Sequence, residues 1–122
     1  MKIILPWHDK SLSPNARVHW AVKAKAVKIA REYAYYAALE AGYNSKYFDG
    51  YDRKIHVWLT FYPKTRNYPD ADNCLSAHKA ANDGIAEALS VNDRRFVVHP
   101  YVHEETGGRV EISITDDGKP WA

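Results

Sequence analysis

Residues 67–96 read NYPDADNCLSAHKAANDGIAEALSVNDRRF, and this segment combines a helical repeat with a cluster of acidic residues. On a helix with about 100° per residue, four polar residues at spacings i, i+4, i+7 and i+11 share one face. They are Asp72, Ser76, Lys79 and Asp83, and the opposite, apolar face holds Cys74, His78, Ala81, Ile85 and Leu89. This pattern predicts a helix that packs an apolar stripe on a core and presents carboxylates and one lysine to solvent.

Asp70 and Asp72 lie at the start of this segment and are followed directly by Asn73. If this stretch is extended, its side chains two residues apart point the same way, and the two carboxylates would then lie side by side. Mg²⁺ is a hard cation that binds carboxylate oxygens together with waters and substrate phosphates, and it offsets the repulsion between two acids. The pair therefore predicts a site for Mg²⁺, with Mn²⁺ as its substitute.

The same residues also fit a purely structural interpretation. Aspartate is a favoured N-cap and acidic side chains suit the first turn of a helix, so Asp70 or Asp72 is a candidate cap. Lys79 and Asp83 are four residues apart, which on an exposed helix is the spacing of a solvated ion pair. The residues alone leave both interpretations open.

Four short runs resemble motifs of the RusA-type Holliday-junction resolvases. They are Leu12-Ser13-Pro14-Asn15-Ala16-Arg17-Val18-His19-Trp20, Asp70-Ala71-Asp72-Asn73, Lys79 with Asp83-Gly84, and Asn92-Asp93-Arg94-Arg95. Because these runs frame most of the chain, the resemblance covers nearly its full length. It implies a small homodimeric α/β endonuclease that uses Mg²⁺ to cut four-way DNA junctions. It also implies that Asp70, Asp72 and Asp93 hold the metal and that Lys79 is the essential helix lysine.

The chain departs from that family in two places. The best-known member carries its lysine one helical turn after the second aspartate, where this chain has Ser76. Lys79 lies about one turn later on nearly the same helix face, a spacing that phage-type relatives share. The family often has two consecutive acids before the last site, and Asn92-Asp93 leaves Asp93 as the only candidate there.

Length and composition predict one soluble globular domain spanning residues 1–122. Apolar residues make up 46% of the chain and charged residues 26%, which are ordinary values. The single cysteine, Cys74, excludes an internal disulfide and suits a reducing cytoplasm. The sequence shows no signal peptide and no apolar run of membrane-spanning length, so we expect a cytoplasmic, DNA-associated protein without membrane contact. The resemblance implies that the protein is encoded by a bacterium or a phage.

Charge is unevenly distributed although the formal net charge is only +2. Residues 10–31 contain six basic side chains and no acidic one, whereas residues 61–122 contain seven basic and ten acidic side chains. A basic surface beside an acidic site would bring a phosphate backbone to a bound cation, and a solvated helix face is the alternative. The candidate DNA contacts are Asn15, Arg17, Lys25, Lys28, Lys64, Arg66, Arg94 and Arg95.

The chain pattern predicts one compact α/β (α+β) domain in which a mixed sheet of about four strands packs against two main helices. Alternation predicts strands at 2–5, 54–62, 95–102 and 109–115, the third of them broken at Pro100. The first helix is predicted at 17–41, entered through Ser13-Pro14-Asn15. Its expected buried stripe is Val18, Val22, Ile29, Tyr33 and Tyr36.

Glycines and the chain end carry three further structural predictions. Gly84 inside the second helix costs about 1 kcal/mol relative to alanine, so we expect another backbone to approach it closely, across a dimer for example. Thr106-Gly107-Gly108 predicts a hairpin turn into the last strand. Residues 116–122 are expected to form a polar tail.

Together these features predict a Mg²⁺-dependent endodeoxyribonuclease that hydrolyses phosphodiesters. The resemblance implies that it is structure-specific and resolves four-way junctions in DNA recombination and repair. Lys79 would assist electrostatically, Asp83 would orient Lys79, and Asn73 would support the site. A two-fold homodimer with two sites would match the symmetry of a junction. Two alternatives remain: a non-catalytic DNA-binding module, in which the acids only cap and pair, and a magnesium nuclease for forks or flaps.

Overall fold

The computed structural model describes residues 2–116. Two short 3-10 helices, Lys10–Leu12 and Asp93–Arg95, lie in its connections. The regular elements in chain order are β1 (Ile3–Pro6), α1 (Trp20–Glu40), β2 (Ile55–Tyr62), α2 (Ala71–Ala77), α3 (Lys79–Leu89), β3 (Phe96–Val102) and β4 (Arg109–Asp116).

The four strands form one mixed sheet in the order β1-β4-β2-β3. Strand β4 runs antiparallel to both β1 and β2, whereas β2 and β3 are parallel neighbours. Parallel neighbours need a crossover connection, and α2 and α3 form it. The predicted single α+β domain with a mixed four-stranded sheet is therefore confirmed.

Alternation along the central strands builds the core. On β2, which lies within the predicted strand 54–62, Ile55, Val57, Leu59 and Phe61 alternate along the chain and are all 0% exposed. In the antiparallel ladder Leu59 lies opposite Ile112 of β4. Val110, Ile112 and Ile114 are also buried. A one-residue slip between these strands would turn every one of these apolar side chains to solvent, so burial fixes their register.

The second predicted helix is present but is divided into α2 and α3. Its expected apolar stripe is confirmed, since Cys74, His78, Ala81, Ile85 and Leu89 are all buried. His78 lies between the two helices with φ −91° and ψ −3°, a backbone conformation that interrupts regular helical geometry. The break falls one residue before Lys79, so the two halves of the polar face belong to different helices.

The predicted stripe of α1 is wrong. Val18, Val22, Ile29, Tyr33 and Tyr36 are 39%, 51%, 56%, 53% and 66% exposed, whereas Ala34 and Ala38 are fully buried. Small residues let α1 lie close to its neighbour, so the large side chains are directed away from the core. The helix also begins later than predicted, at Trp20. Its N-cap is His19, whose ring accepts the backbone N–H of Ala21 at 3.1 Å.

Gly84 of α3 lies against the backbone of α1. A Cβ atom at this position would overlap the carbonyl oxygen of Arg31 and would lie 3.1 Å from the backbone nitrogen of Tyr35. The predicted close approach of another backbone is confirmed, and the approaching backbone belongs to the same chain.

Three smaller predictions about the last third of the chain are corrected. Strand β3 runs unbroken through Pro100, because β3 is an edge strand and an edge tolerates the missing N–H of proline. The turn at 106–108 does not close a β3–β4 hairpin, since β2 lies between those strands. Asp116 is the last residue of β4 instead of the first residue of a tail, and residues 117–122 lie outside the described part.

Replacing Gly84 with alanine should destabilise the protein by about 1–3 kcal/mol, because overlap with a rigid backbone outweighs the gain in helix propensity. Urea unfolding followed by circular dichroism measures this change. Gly107→Ala is the matched control, since its added Cβ meets mainly the movable guanidinium of Arg109. Equal stabilities of Gly84→Ala and wild type would contradict this prediction, because they would show that α1 and α3 can move apart without loss of stability.

Candidate functional site

Asp70 and Asp72 are placed at the start of α2. Asp70 is the N-cap, with an extended backbone at φ −75° and ψ 160°, and its carboxylate accepts the backbone N–H of Asn73 at 2.9 Å. Asp72 lies in the first turn of the helix and is exposed, so the extended backbone considered for both aspartates is present only at Asp70. The capping interpretation is therefore confirmed for Asp70. An ionised carboxylate has about four lone-pair sites, so a single cap bond leaves Asp70 able to accept further bonds.

Lys79, Asp83 and Asp93 form a second polar group, which we call the lysine cluster. The Lys79 Nζ atom lies 3.7 Å from Asp83 Oδ1 and 4.0 Å from Asp93 Oδ2. Lys79 and Asp83 are one helical turn apart in α3, whereas Asp93 opens the 3-10 helix after it. Folding therefore brings Asp93 back beside α3, next to Lys79.

The return of Asp93 has a local cause. Ser90 ends α3 in the left-handed conformation, with φ 54° and ψ 43°, and so reverses the chain direction. Asn92 then caps the 3-10 helix by accepting the backbone N–H of Arg94 at 3.0 Å. Together these two residues fix where Asp93 lies.

The lysine cluster is open to solvent. The side chains of Lys79, Asp93 and Asp83 are 73%, 49% and 39% exposed. Ion pairs this exposed contribute about 0–1 kcal/mol to stability, because water screens them and ordering long side chains costs entropy. The charged atoms thus remain accessible to a ligand.

The structure does not gather the three predicted metal ligands into one group. Among residues 2–116 there is no set of three or more His, Cys, Asp or Glu side chains arranged to hold a metal ion. Asp70 and Asp72 lie at the start of α2, and Asp93 lies beside Lys79 in the lysine cluster. Their oxygen donors suit Mg²⁺ chemically, and the Asp70/Asp72 pair alone offers the one or two carboxylates that this ion usually takes from a protein.

Most of the candidate DNA contacts are exposed. Lys64 and Arg66 lie on the connection from β2 to α2, which leads directly to Asp70. The remaining exposed candidates are Asn15, Arg17, Lys25, Lys28 and Arg94. Their positions leave the charges available to phosphates.

Arg95 has a structural role instead. Its guanidinium donates to the backbone carbonyl of Tyr51 at 2.6 Å and to that of Arg53 at 2.9 Å. It also lies over the Tyr51 ring, 5.8 Å from the centroid. Arg95 therefore ties the loop after α1 to the start of β3, and most of its hydrogen-bonding capacity is used within the protein.

Sequence reasoning did not find a cavity of about 680 Å³ between the end of β1, α1 and the α2–α3 junction. Trp7, His8, Tyr33, Lys64 and His78 are among its lining residues. His78 fell on the predicted apolar stripe, and that pattern gave no sign that the ring borders an open space.

The histidines of this cavity are held in the neutral form. Burial, and secondarily the nearby His8, lowers the pKa of His78 to about 3. Burial also lowers the pKa of His8, with Lys64 as the next cause. Both causes act in the same direction, because a cation is disfavoured where water is excluded and other positive charge is near.

Cys74 does not supply a nucleophile to this region. Burial, with a smaller effect of Asp70, raises the pKa of its thiol to about 11. The reactive thiolate is therefore scarce at neutral pH. Its prediction as a small core residue is confirmed, since it is 1% exposed.

No protein-family model matches the chain. A protein of Xylella fastidiosa (strain Temecula1) is 48% identical over 115 residues, an alignment that covers 93% of this chain and 74% of the Xylella protein. The two proteins belong to one family. The Xylella protein is described as uncharacterized, so the relationship supplies no activity. Within residues 2–116, no helix is long and apolar enough to cross a membrane.

The buried state of His78 predicts that acid destabilises the protein. Because its pKa falls from 6.5 in the unfolded chain to about 3 in the folded one, the unfolded state binds more protons between these values. Stability should fall as pH decreases through this window, by about 2 kcal/mol from this group between pH 7 and pH 5. Urea unfolding at the two pH values measures the loss.

His78→Gln should remove this share of the pH dependence, leaving the contributions of His8 and His99, whose pKa values are also lowered by burial. Equal denaturant m-values at both pH values are the control that the same folded state is compared. An unchanged difference between pH 7 and pH 5 in the variant would contradict the assignment to His78.

Proposed function

We propose that this protein is a RusA-type, Mg²⁺-dependent endodeoxyribonuclease that cuts four-way DNA junctions by phosphodiester hydrolysis. One observation carries the proposal: the exposed Lys79 ammonium lies between the carboxylates of Asp83 and Asp93, on the helical segment that opens with Asp70 and Asp72. Hydrolysis of a phosphodiester needs carboxylates to hold a cation and a positive group to stabilise charge on the phosphate. This segment supplies both.

The acidic residues would hold the metal. When bound, Mg²⁺ polarises the phosphate and lowers the pKa of its water. Asp70 is fixed by its cap bond to the Asn73 backbone, so its remaining lone pairs have a defined direction. Asp72 is exposed in the first turn of α2, and Asp93, which lies in the lysine cluster, is the third proposed ligand.

Lys79 would stabilise negative charge on the phosphate. At 3.7 Å and 4.0 Å, its contacts with Asp83 and Asp93 are loose ion pairs. The ammonium has three N–H donors, so it can keep one carboxylate partner while donating to a phosphate oxygen. Asp83 lies one turn further along α3 and would orient Lys79.

The basic residues around the site would position the DNA backbone. Lys64 and Arg66 precede Asp70 on the same loop, so phosphates bound there would lie next to the acidic pair. Arg17, Lys25 and Lys28 are exposed before and along α1. Contacts of this kind fix register on DNA without reading its sequence.

A homodimer is part of the proposal, because a junction offers two strands related by a two-fold axis. Support comes from two large apolar side chains outside the cavity, Tyr36 of α1 and Ile4 of β1, which are 66% and 57% exposed. Both border one shallow groove. Contiguous exposed apolar surface of this type commonly marks a protein–protein interface.

A non-catalytic DNA-binding module is the second candidate. It is favoured by the cap bond of Asp70 and by the ion pairs of Lys79, which give these residues a structural explanation. A magnesium nuclease for forks or flaps is a variant of the main proposal that differs only in substrate.

Asp72→Asn tests the catalytic proposal. With Mg²⁺ present, cleavage of a labelled four-way junction should fall by about 10²-fold or more, because an amide replaces an anionic ligand of the cation. Junction binding in EDTA, measured by gel shift, should be unchanged. Asp49→Asn is the matched control, since Asp49 is an exposed acid in the loop after α1.

The same assay separates the alternatives. Wild-type protein that binds DNA but cuts nothing with Mg²⁺ or Mn²⁺ would establish the binding module. Faster cutting of forks or flaps than of junctions would redirect the substrate assignment, and equal rates on plain duplex would contradict structure specificity.

Lys79→Met separates a catalytic lysine from a solvated ion pair. The free energy of unfolding should change by no more than about 0.5 kcal/mol, because both ion pairs are exposed. Cleavage should fall by about 10²-fold, since a charge that stabilises the transition state is removed. Lys46→Met is the control for removal of an exposed lysine. Undiminished cleavage by Lys79→Met would leave Lys79 with a surface role only.

A further inference from the structure

The cavity beside the α2–α3 junction has the size and walls of a binding site. Its volume of about 680 Å³ lies within the range of small-molecule pockets, about 300–1,000 Å³. The indole of Trp7 and the ring of Tyr33 provide aromatic wall, and Leu5, Leu12 and Ala81 provide aliphatic wall. Flat ligands pack well between surfaces of this kind.

Two residues that line this cavity each carry a buried ring nitrogen without a hydrogen-bond partner among residues 2–116. His78 is 3% exposed, and the atom concerned is its Nε2. In His8 the atom concerned is Nδ1. Buried polar groups in proteins are nearly always hydrogen-bonded, so each unpaired atom needs an explanation. A ligand with hydrogen-bonding groups on its edge would supply one.

The charges around the cavity indicate what kind of ligand fits. Lys10 and Lys64 are exposed lining residues, so positive charge lies at the accessible part. Asp9 is the one acidic side chain among the described residues that line the cavity, and it already accepts the backbone N–H of Ser11 at 2.8 Å. The interior histidines are neutral, which disfavours an anion in the depth of the cavity. The pattern is a neutral, hydrogen-bonding interior with a cationic entrance.

We propose that this cavity binds a nucleotide, with an unpaired nucleobase between the aromatic walls and its phosphate at Lys64. The edge of the base would hydrogen-bond to His8 and His78. Flipped or unpaired bases are held in this way by stacking and by contacts to their hydrogen-bonding edges. A fatty chain would leave both imidazole nitrogens unpaired, so it fits the cavity less well.

The position of Lys64 connects the cavity to the proposed nuclease site. Lys64 lies six residues before Asp70 on the loop from β2 to α2. A nucleotide bound in the cavity would therefore place its phosphate at the start of the segment that leads to the acidic pair. The inference rests on the proposed function for its DNA source, since exchanging strands at a junction provide bases that are least costly to unstack.

Binding can be measured without metal, so that cleavage plays no part. In EDTA, wild-type protein would be titrated with AMP, GMP, CMP and TMP, and separately with a single-stranded oligonucleotide containing 2-aminopurine. The imidazole resonances of His8 and His78 should shift in NMR spectra, and the 2-aminopurine fluorescence should change. Stronger binding of the oligonucleotide assigns the base to a DNA strand, and equal binding assigns the cavity to free nucleotides; either supports a nucleotide site.

Ala30 of α1 lines the cavity and is partly exposed. In Ala30→Leu the larger side chain should fill part of the cavity without disturbing the core. It should weaken nucleotide binding at least tenfold. Ala24→Leu is the matched control, an exposed alanine of the same helix outside the cavity lining, and should bind like wild type. Lys64→Met should weaken binding of nucleotides more than binding of nucleosides.

Three results would overturn the proposal: no shift of the histidine resonances with any probe, equal binding by Ala30→Leu and wild type, or a change of oligomeric state in Ala30→Leu without a change in nucleotide binding. The last would assign the cavity to a second copy of the chain. Asp72→Asn should bind nucleotides in EDTA as wild type does. Loss of support for the nuclease proposal would appear in the cleavage assay, and loss of support for the nucleotide site would appear in the binding assay.

Discussion

The close contact between Gly84 of α3 and the backbone of α1 is the constraint from which much of the architecture follows. Only a residue without Cβ lets the Arg31 carbonyl lie this near, and Ala34 and Ala38 complete the contact with small buried side chains. With the two helices this close, little space is left between them for large residues. The large apolar side chains of α1 therefore lie on its outer side, and the cavity opens where the helix passes the end of β1.

This constraint explains which parts of the fold were predictable from sequence. The inward residues of β2, such as Leu59, and the apolar stripe through Ile85 were correct because strict periodicity and burial agree there. The stripe of α1 failed because it was assigned to large apolar residues, whereas close packing selected alanines. The β3–β4 pairing failed because neighbours in sequence need not be neighbours in a sheet, and no local pattern shows that β2 lies between them.

The candidate site also has a part that the sequence could predict and a part that it could not. The helical part was predictable from the sequence, since a spacing of four residues places Lys79 and Asp83 one turn apart. The return of Asp93 depends on the left-handed conformation of Ser90, a local backbone feature that residue spacing does not reveal. The break at His78 separates the acidic pair at the start of α2 from the lysine cluster. The cavity could not be predicted from the sequence, because distant parts of the chain line it. Among the described residues, it is marked as a site by the unpaired ring nitrogens of His8 and His78.

Both outer strands of the sheet contain a proline, Pro6 in β1 and Pro100 in β3. Proline offers no amide hydrogen to an incoming strand, so each border lacks a donor that a growing β-ladder would need. Intermolecular sheet growth, the usual beginning of fibrous aggregates, is thereby discouraged on both sides. Copies of the protein can still meet through side-chain surfaces, and a concentrated solution should favour discrete complexes over filaments.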